Sequence, residues 1–319
     1  MASIAVTDGM DNKAVERLKK AGHDVVLKHI EPDDLLNGAL SEFDAIIIRS
    51  ATKLPADVIN VSGDRLKVIG RAGVGVDNID LAAAGARGIR VVNAPRASTQ
   101  SVVELTLGHL LASIRHLPRA DRSLRDGRWE KKAMKGSELA GKALGLIGFG
   151  RIAQSVGRVA QAIGMEVHAF DPFVDEAPEG VQLHDDVDEI FRYCTHISVH
   201  CNLNEQTRNL VNSERISMMP GIGLDGIECG NHIVSCARGG VVDESAASMA
   251  LESGQLTSLA LDVFEVEPLA ESDLLRHDSF HGSPHIAAST LEAQARIGTE
   301  MAGLLIEYFE TGRCHNSLN

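Results

Sequence analysis

Three ionisable residues in the second half of the chain have the types that oxidation of an alcohol needs. Arg238 lies in the segment CARGGVVDE, Glu267 in DVFEVEP and His285 in SPHIAAS, and each segment lies where a loop is predicted to leave a strand. A histidine exchanges a proton near neutral pH. A carboxylate beside it orients the ring, and an arginine binds a substrate carboxylate through two parallel hydrogen bonds. We therefore predict an acid/base, its partner and an anchor for an anionic alcohol.

Each of these residues also has a simpler interpretation. Arg238 would serve as a charge at a helix start, Glu267 as a surface acid before a proline, and His285 as one packed ring among thirteen histidines. Their common place beyond strand ends favours the chemical interpretation, because ligands of parallel α/β sheets collect at that edge.

A dinucleotide-binding pattern occupies residues 144–171, LGLIGFGRIAQSVGRVAQAIGMEVHAFD. In the turn after its first strand, Gly148 permits a tight bend and Gly150 lets the backbone approach a pyrophosphate. Ala153 lets the following helix lie close to the sheet. Asp171 ends the second strand, where a carboxylate accepts both ribose hydroxyls of NAD and repels the extra phosphate of NADP. The pattern predicts NAD as the cofactor and hydride acceptor.

The helix after the glycine turn is predicted to end at Gly164. Its start would offer the N–H groups of Arg151 and Ile152, and the positive end of its dipole, to the phosphates. Helical spacing places five apolar residues on one face, which we expect to be buried: Ile152, Val156, Val159, Ala160 and Ile163.

Short apolar runs alternate with helical segments along the whole chain. Strands are predicted at 4–6, 25–27, 45–48, 67–70, 90–93, 144–147, 166–170, 196–200, 232–236, 258–263 and just before Pro284, and helices at 12–20, 78–86, 101–117 and 291–311. Such alternation indicates parallel sheets covered on both faces, and we predict two doubly wound domains. Ser101 and Glu104 form a candidate capping box for the long helix, which leads into a polar arm, residues 117–136.

Two arginines follow strands of the first predicted domain. Arg49 comes directly after the strand at 45–48, and Arg71 directly after the strand at 67–70. Arg71 opens a glycine turn, residues 71–77, whose exposed N–H groups could bind a carboxylate. The pair indicates an anion site at this edge, and solvated arginines paired with local acids remain the alternative.

Composition limits the kinds of partner. The formal net charge is −13 and no basic stripe is present, so the sequence lacks the positive surface that binds nucleic acid or an anionic membrane. No apolar stretch approaches the roughly 20 residues of a membrane span, so we expect a soluble, cytoplasmic protein.

The five cysteines lack a C-x-x-C pair and are expected to be reduced. The cluster CTHISVHC, residues 194–201, holds four candidate zinc ligands, but strand alternation separates His196 and His200 from Cys201, so we predict no metal.

Taken together, these segments resemble the D-isomer-specific 2-hydroxyacid dehydrogenase family. The likeness rests on RSATK at 49–53, GRAGVGVDNID at 70–80, WEKK at 129–132, the 144–171 pattern, CARGG at 236–240, DVF and EP within 262–268, and PHI at 284–286. It implies a Rossmann NAD-binding domain, residues 99–288, inserted into a flavodoxin-like substrate-binding domain, residues 1–98 and 289–319. It also implies a homodimer or homotetramer, with the dimer built on the 101–117 region.

The resemblance implies a role for each matching residue. His285 would be the acid/base, Glu267 its partner and Arg238 the carboxylate clamp. Cofactor contacts are implied at Gly148, Gly150, Arg151, Ile152, Asp171, His200, Cys201, Cys236, Ala237, Arg238, Asp262, His285, Ala287 and Ala288. Substrate contacts are expected at Arg49, Arg71, Gly73, Val74, Gly75, Arg96, Lys131 and Lys132. Of the two lysines, Lys131 or Lys132 matches a basic residue that reaches the site of the partner subunit.

The implied reaction is NAD-dependent oxidation of D-3-phosphoglycerate to 3-phosphohydroxypyruvate. The chain departs from the family pattern near the substrate, with Arg96-Ala97-Ser98 for the usual Asn-Gly-Asn and Val74 for a threonine. Residues 221–228 look like an insertion, which we expect to be a tolerated surface change. Reduction of glyoxylate, hydroxypyruvate or another anionic 2-keto acid is the nearest alternative, and NAD sensing without turnover is the second.

Overall fold

The computed structural model describes all residues, 1–319, in two compact units. The first comprises Met1–Thr99 and Ala288–Asn319, and the second Gln100–Ala287. Each unit holds one parallel sheet with buried apolar clusters on both faces. None of the helices combines the length and hydropathy that a membrane crossing requires.

The first unit contains a five-stranded parallel sheet. Its strands are β1 (Ser3–Val6), β2 (Asp24–Leu27), β3 (Ala45–Ile48), β4 (Val68–Arg71) and β5 (Arg90–Asn93). They lie in the order β2-β1-β3-β4-β5, the flavodoxin-like order. Its helices are α1 (Asn12–Lys20), α2 (Pro32–Leu36), α3 (Ala56–Asn60), α4 (Leu81–Ala86) and the C-terminal helix Leu291–Thr311. The central strand β3, sequence AIII, is buried at every position, as expected of a parallel strand covered on both faces.

The second unit contains a seven-stranded parallel sheet. Its strands are β6 (Ala143–Ile147), β7 (Glu166–Phe170), β8 (Val181–Leu183), β9 (His196–Val199), β10 (His232–Ser235), β11 (Ser258–Leu261) and β12 (Phe280–Gly282). The strands lie in the order β12-β11-β10-β9-β6-β7-β8. From β6 the chain adds strands first on one side and then on the other, which is the Rossmann arrangement. The helices are α5 (Thr99–Ile114), α6 (Leu117–Arg125), α7 (Arg151–Ala162), α8 (Val187–Tyr193), α9 (Ser213–Met218) and α10 (Glu244–Glu252). The predicted fold class, two doubly wound parallel sheets, is confirmed.

Several predicted boundaries in the first unit differ from the structure, and two of them lie next to the glycine turn, residues 71–77. Strand β4 extends through Arg71, so this arginine is the last residue of the strand rather than the first after it. The helix predicted at 78–86 begins only at Leu81, because the Asp80 side chain accepts a hydrogen bond from the Ala83 N–H and caps the helix there.

The predictions of a capping box at Ser101 and of a polar arm at 117–136 are also wrong. Helix α5 already begins at Thr99, and Ser101 is buried inside it rather than at its start. Glu104 accepts a hydrogen bond from the Gln100 side chain. The helix ends at Ile114, and His116 takes a left-handed backbone conformation with a φ of 51°. A new helix, α6, then runs through the segment that we predicted as an arm.

The buried face of α7 differs from the predicted one. Val159 and Ile163 are 42% and 40% exposed. The face against the sheet consists of small residues and one valine: Ala153, Val156, Gly157 and Ala160. A side chain at Gly157 would come within 3.2 Å of Leu146 on β6, so small residues set how closely the helix lies on the sheet.

The 221–228 loop is largely exposed, as expected of a surface insertion, but one of its side chains also pairs with a buried lysine. Asp225 in this loop pairs with Lys142 at 2.6 Å, and Lys142 is only 2% exposed. Ile222 and Glu228 form an antiparallel bridge across the loop. Because a buried ammonium depends on its partner, the loop completes the polar contacts at the start of β6.

Strand ends in the second unit were predicted one or two residues too long. The predicted strands at 196–200, 232–236 and 258–263 end at Val199, Ser235 and Leu261. The short edge strand β8 was missed, because only three residues form it and none is fully buried.

Candidate active site

The catalytic candidates lie on loops that leave three adjacent strands. Arg238 follows β10, Glu267 follows β11 and His285 follows β12. These strands are neighbours in the sheet and run parallel, so their carboxyl ends meet at one edge.

His285 and Glu267 form a hydrogen-bonded pair. His285 Nδ1 lies 2.8 Å from Glu267 Oε2, and the two side chains are 33% and 35% exposed. The other carboxylate oxygen, Oε1, accepts the Phe264 N–H at 3.0 Å. His285 adopts a left-handed backbone conformation with a φ of 52°, and its N–H donates to the carbonyls of Asp262 and Ser283. The imidazole is therefore held from its ring and from its backbone.

The environment of Glu267 keeps this carboxyl ionised. Burial acts to raise its pKa, but the hydrogen bonds from His285 and the Phe264 N–H, with the charges of His285 and Arg238, lower the pKa below its usual value. The ionised Glu267 accepts a hydrogen bond from Nδ1–H of His285. Nε2 of His285 is then the nitrogen left for proton exchange with a substrate.

Close backbone packing joins the Arg238 loop to the Glu267 loop. A Cβ at Gly239 would lie 1.7 Å from the Phe264 carbonyl oxygen, so only glycine permits this approach. The Glu265 N–H donates to Glu244 at 2.6 Å, which adds a second link between the loops. The structure thus brings Arg238, Glu267 and His285 together at one sheet edge.

The glycine turn after β6 fits a dinucleotide. Gly148 has a φ of +83°, and a Cβ there would meet the Cys201 backbone nitrogen at 2.8 Å. Gly150 is the N-cap of α7 and has open space around its missing side chain. The start of α7, with Arg151 and Ile152, therefore has no side-chain cap, and its backbone suits a pyrophosphate.

Asp171 is oriented by two backbone groups. Its Oδ2 accepts the Phe149 N–H at 2.8 Å and its Oδ1 accepts the Phe173 N–H at 3.0 Å. Each carboxylate oxygen retains a lone pair for a ribose hydroxyl. The turn and this carboxylate together fit NAD.

The remaining cofactor candidates of the second unit lie beyond β9, β10, β11 and β12. His200 contacts the Ser198 hydroxyl at 2.9 Å, and burial lowers its pKa to about 4. Burial also raises the pKa of Cys201 to about 11 and that of Cys236 to about 12, so both remain thiols near neutral pH.

Ala237 is buried beside Cys236. Asp262 is completely buried and accepts the Ala287 N–H at 2.9 Å. Ala288 belongs to the first unit.

The substrate candidates of the first unit lie at the carboxyl ends of β3, β4 and β5. The Arg49 N–H donates to Asp8 at 2.6 Å, and Asn78 donates to the Arg49 carbonyl at 2.7 Å, so two other loops hold the Arg49 loop. The Arg71 guanidinium lies over Gly73, where a Cβ would be 1.6 Å from it.

The turn that contains Val74 and Gly75 is also fixed. Asn93 donates to the Val74 carbonyl at 2.6 Å, and the Ala94 N–H donates to Gly73. Arg96 is exposed on the loop after β5. Lys131 and Lys132 belong to the second unit, where they are exposed on a 3₁₀ turn, Lys131–Met134.

The histidine and cysteine cluster at 194–201 does not converge on one point. His196 stacks on His232 with ring centroids 4.6 Å apart, whereas His200 contacts Ser198. No three side chains of the His, Cys, Asp and Glu types are grouped so that they could hold a metal ion.

Several residues that hold the site were not predicted. Asp8 and Asn78 fix the Arg49 loop, Glu244 links two catalytic loops, and Ser283 and His109 contact each other at 2.9 Å behind His285. The sequence offered one signal, for Asp8, which is a polar residue two positions after the end of β1. A lone histidine inside an apolar helix gave none for His109.

Residues 107–287 match the family model described as D-isomer specific 2-hydroxyacid dehydrogenase, NAD binding domain. This match covers more than half of the chain. The chain belongs to the D-isomer-specific 2-hydroxyacid dehydrogenase family. As a member, it is an NAD-dependent oxidoreductase, and NAD is the cofactor that its second unit binds.

Three proteins illustrate the range of relatives. The chain is 45% identical to a hydroxypyruvate reductase of Thermotoga maritima, over 93% of this chain and 95% of that protein. It is 44% identical to a D-3-phosphoglycerate dehydrogenase of Methanocaldococcus jannaschii, over 95% of this chain but only 56% of that protein. A crystal structure of NAD⁺-bound 3-phosphoglycerate dehydrogenase from Entamoeba histolytica superposes with a TM-score of 0.81 at 27% identity, covering 100% and 98% of the two chains. The chain thus spans nearly all of one relative and about half of another.

Cofactor preference in this dehydrogenase provides one test of Asp171. We expect Asp171→Ala to lower the ratio of kcat/KM with NAD to kcat/KM with NADP by about 10- to 100-fold, the equivalent of one hydrogen bond to a charged group. Steady-state kinetics with both cofactors measures the ratio. Asp175→Ala, which removes an exposed acid four residues later, is the control. An unchanged ratio in Asp171→Ala would contradict the ribose assignment.

Proposed function

We propose that this dehydrogenase oxidises D-3-phosphoglycerate to 3-phosphohydroxypyruvate, the first step of serine biosynthesis. The observation that carries the substrate class is the pair Arg49 and Arg71 at the ends of adjacent strands, with Ile48 directly paired to Arg71. A substrate with a carboxylate and a phosphate needs cations in addition to Arg238. Relatives named D-3-phosphoglycerate dehydrogenase support the same choice.

The second unit supplies the chemical groups of the proposed reaction. NAD, when bound, accepts the hydride. Arg238 binds the substrate carboxylate with its planar fork and orients the alcohol carbon. Nε2 of His285 accepts the hydroxyl proton while the C–H bond yields its electron pair as hydride, and a carbonyl forms. The ionised Glu267 holds Nδ1–H and stabilises the positive ring.

The proposed roles of the first unit concern the second anionic group. The guanidinium groups of Arg49 and Arg71 bind the phosphate, and the N–H groups of the Gly73-Val74-Gly75 turn receive anionic oxygens. Arg96, Lys131 and Lys132 add positive charge for the substrate. The hydrogen bonds that fix the Arg49 loop and the glycine turn support the roles proposed for these two segments.

The phosphate assignment is tested by removing the arginines. We expect Arg49→Ala and Arg71→Ala each to raise KM for D-3-phosphoglycerate by about 10- to 100-fold, since each loses a hydrogen bond to a charged group. KM for D-glycerate, which lacks the phosphate, should change little. Lys67→Ala removes an exposed cation just before the start of β4, at the other end of the strand from Arg71, and is the control. Unaltered phosphoglycerate kinetics in both arginine variants would refute the assignment.

Reduction of hydroxypyruvate or glyoxylate is the second candidate function. The similarity to the Thermotoga maritima reductase over 95% of its length favours it, as do Arg96 and Val74 where the family pattern differs. The deciding experiment compares NADH formation from D-3-phosphoglycerate with NADH consumption by hydroxypyruvate and glyoxylate. A kcat/KM higher for the small keto acids than for phosphoglycerate would establish the second candidate.

The alternative of a binding protein that senses NAD without turnover does not agree with membership of a dehydrogenase family. It predicts tight NADH binding and no activity on any 2-hydroxy or 2-keto acid of the same panel. The ordered pair of His285 and Glu267 opposes it, because a sensor has no need of an acid/base.

We also propose that the enzyme is cytoplasmic and works as a homodimer or homotetramer. Four apolar side chains on α5, α6 and the segment after them are exposed: Leu111, Leu117, Leu124 and Trp129. Large exposed apolar groups in one region are typical of an association surface. Light scattering in solution would give the mass, and a monomer would contradict this proposal.

A further inference from the structure

A buried carboxylate holds the segment that carries His285. Asp262 is 0% exposed, and its Oδ1 accepts the Ser283 hydroxyl at 2.6 Å and the Ile286 N–H at 2.8 Å. Its Oδ2 accepts the Ala287 N–H at 2.9 Å, and its backbone carbonyl accepts the His285 N–H at 2.8 Å. One residue therefore fixes groups on both sides of the acid/base.

The hydrogen bonds run in one direction from helix α5 to this carboxylate. The Ser283 hydroxyl donates its only proton to Asp262, so its oxygen can act only as an acceptor toward other groups. His109 Nε2 lies 2.9 Å from that oxygen and must donate. Burial lowers the pKa of His109, although the charge of Asp262 opposes this, and a neutral ring with its proton on Nε2 satisfies the geometry.

Helix α5 supports the backs of both catalytic loops. His109 contacts Ser283 in the His285 loop, and Thr106, one turn earlier, hydrogen bonds to the Cys236 thiol two residues before Arg238. Residues three apart lie on the same face of a helix. The same face of α5 therefore contacts the loops of Arg238 and His285.

The backbone of His285 needs such support. Its φ of 52° lies in the left-handed region, which residues with a side chain rarely occupy unless their surroundings hold them there. If segment 283–287 relaxed, the imidazole would move away from Glu267, to which it is joined by a single hydrogen bond of 2.8 Å.

We propose that His109 is a positioning residue of this enzyme. Acting through Ser283 and Asp262, it fixes segment 283–287 so that His285 keeps its backbone conformation and its contact with Glu267. The proposal rests on the proposed role of His285 as the acid/base.

The test compares four variants with the wild type: His109→Leu, His109→Gln, Ser283→Ala and the double variant His109→Leu/Ser283→Ala. We expect His109→Leu to lower kcat by about 10- to 100-fold, the effect of a small displacement of a catalytic group. KM and the affinity for NADH should change little. The midpoint of the acid limb in the pH profile of kcat should also shift, which a loss of stability alone would not cause. In His109→Gln the side-chain amide still donates to Ser283, and kcat should recover to within a few-fold of the wild type.

Two further comparisons isolate the pathway. Ser113→Ala removes a buried hydroxyl without a hydrogen-bond partner on the same helix, and should leave kcat unchanged. Because His109 acts through Ser283, adding His109→Leu to Ser283→Ala should cause no additional loss. If His109→Leu does not fold, the comparison of His109→Gln with Ser283→Ala carries the test.

Three results would overturn the proposal: wild-type kcat and pH profile in His109→Leu, no recovery in His109→Gln, or losses that add in the double variant. The proposed function fails separately, if the wild type turns over no 2-hydroxy acid. In that case the ¹⁵N chemical shifts of His285 in selectively labelled wild type and His109→Leu still decide the positioning role. Changed shifts support it, and identical shifts refute it.

Discussion

We expect the substitution His285→Asn to lower kcat by about 10²- to 10⁴-fold, the range that a general acid/base contributes. Asparagine tolerates the left-handed backbone conformation that His285 adopts, and its amide can still donate to Glu267. The variant therefore removes proton exchange with little effect on the loop. Steady-state kinetics gives kcat, and quenching of protein fluorescence by NADH gives cofactor affinity, which should remain near that of the wild type.

A second histidine–glutamate pair on the surface provides the control. His315 Nε2 lies 2.9 Å from Glu307 Oε1 in the first unit, whereas His285 and Glu267 belong to the second. His315→Asn should leave kcat unchanged. Wild-type turnover by His285→Asn would show that another group exchanges the proton.

The substitution Glu267→Gln should lower kcat by about 10²-fold or more, as loss of the orienting carboxylate does in other histidine-based sites. A neutral amide cannot stabilise a positive ring, and it allows the imidazole to change its tautomer. The pH profile of kcat and the NADH affinity are the measurements. Glu265→Gln changes an exposed acid two residues earlier and is the matched control. Equal losses in the two variants would mean that charge in the loop, rather than contact with His285, is what matters.

The sign of the pH effect on stability follows from the lowered pKa of Glu267. A carboxyl whose pKa is lower in the folded state than in the unfolded chain stabilises the fold above its unfolded value, here close to the ordinary 4.5. This contribution is lost as the pH falls through the lowered pKa. Glu267→Gln should therefore reduce the acid sensitivity of the thermal midpoint in this range.

Elements with strong local signals could be predicted from the sequence. The strand AIII at 45–48 and the C-terminal helix at 291–311 have the predicted bounds, because one is a run of β-branched residues and the other ends at Gly312 with a φ of 74°. The start of α5 could not be predicted, because the Ser101–Glu104 pattern is local whereas burial of Ser101 is decided by packing. The prediction of the buried face of α7 was wrong for a related reason. Large apolar residues dominate the sequence pattern, but close contact with a sheet requires small residues such as Gly157.

The types of the catalytic candidates were visible in the sequence, but the contacts that hold them were not. Spacing along the chain does not reveal that Gly239 must pass under the Phe264 carbonyl. His109 and Ser283 are separated by 174 residues, and only the folded chain joins them. Side chains that support a site from behind have no characteristic motif, since a single hydrogen bond in the right place is enough.

The proposed reaction requires that Arg238, Glu267 and His285 act together to remove a proton and a hydride from a D-2-hydroxy acid, with NAD as acceptor. Its most direct test is a single-turnover reaction with D-3-phosphoglycerate, D-glycerate and their L-enantiomers, each deuterated at C2, followed by mass spectrometry of the NADH formed. We expect deuterium in the NADH formed from a D-enantiomer and none in the NADH formed from its L-enantiomer. We also expect His285→Asn to lose this transfer while NADH still binds. Transfer from neither D-substrate, or undiminished transfer in His285→Asn, would contradict the proposed reaction.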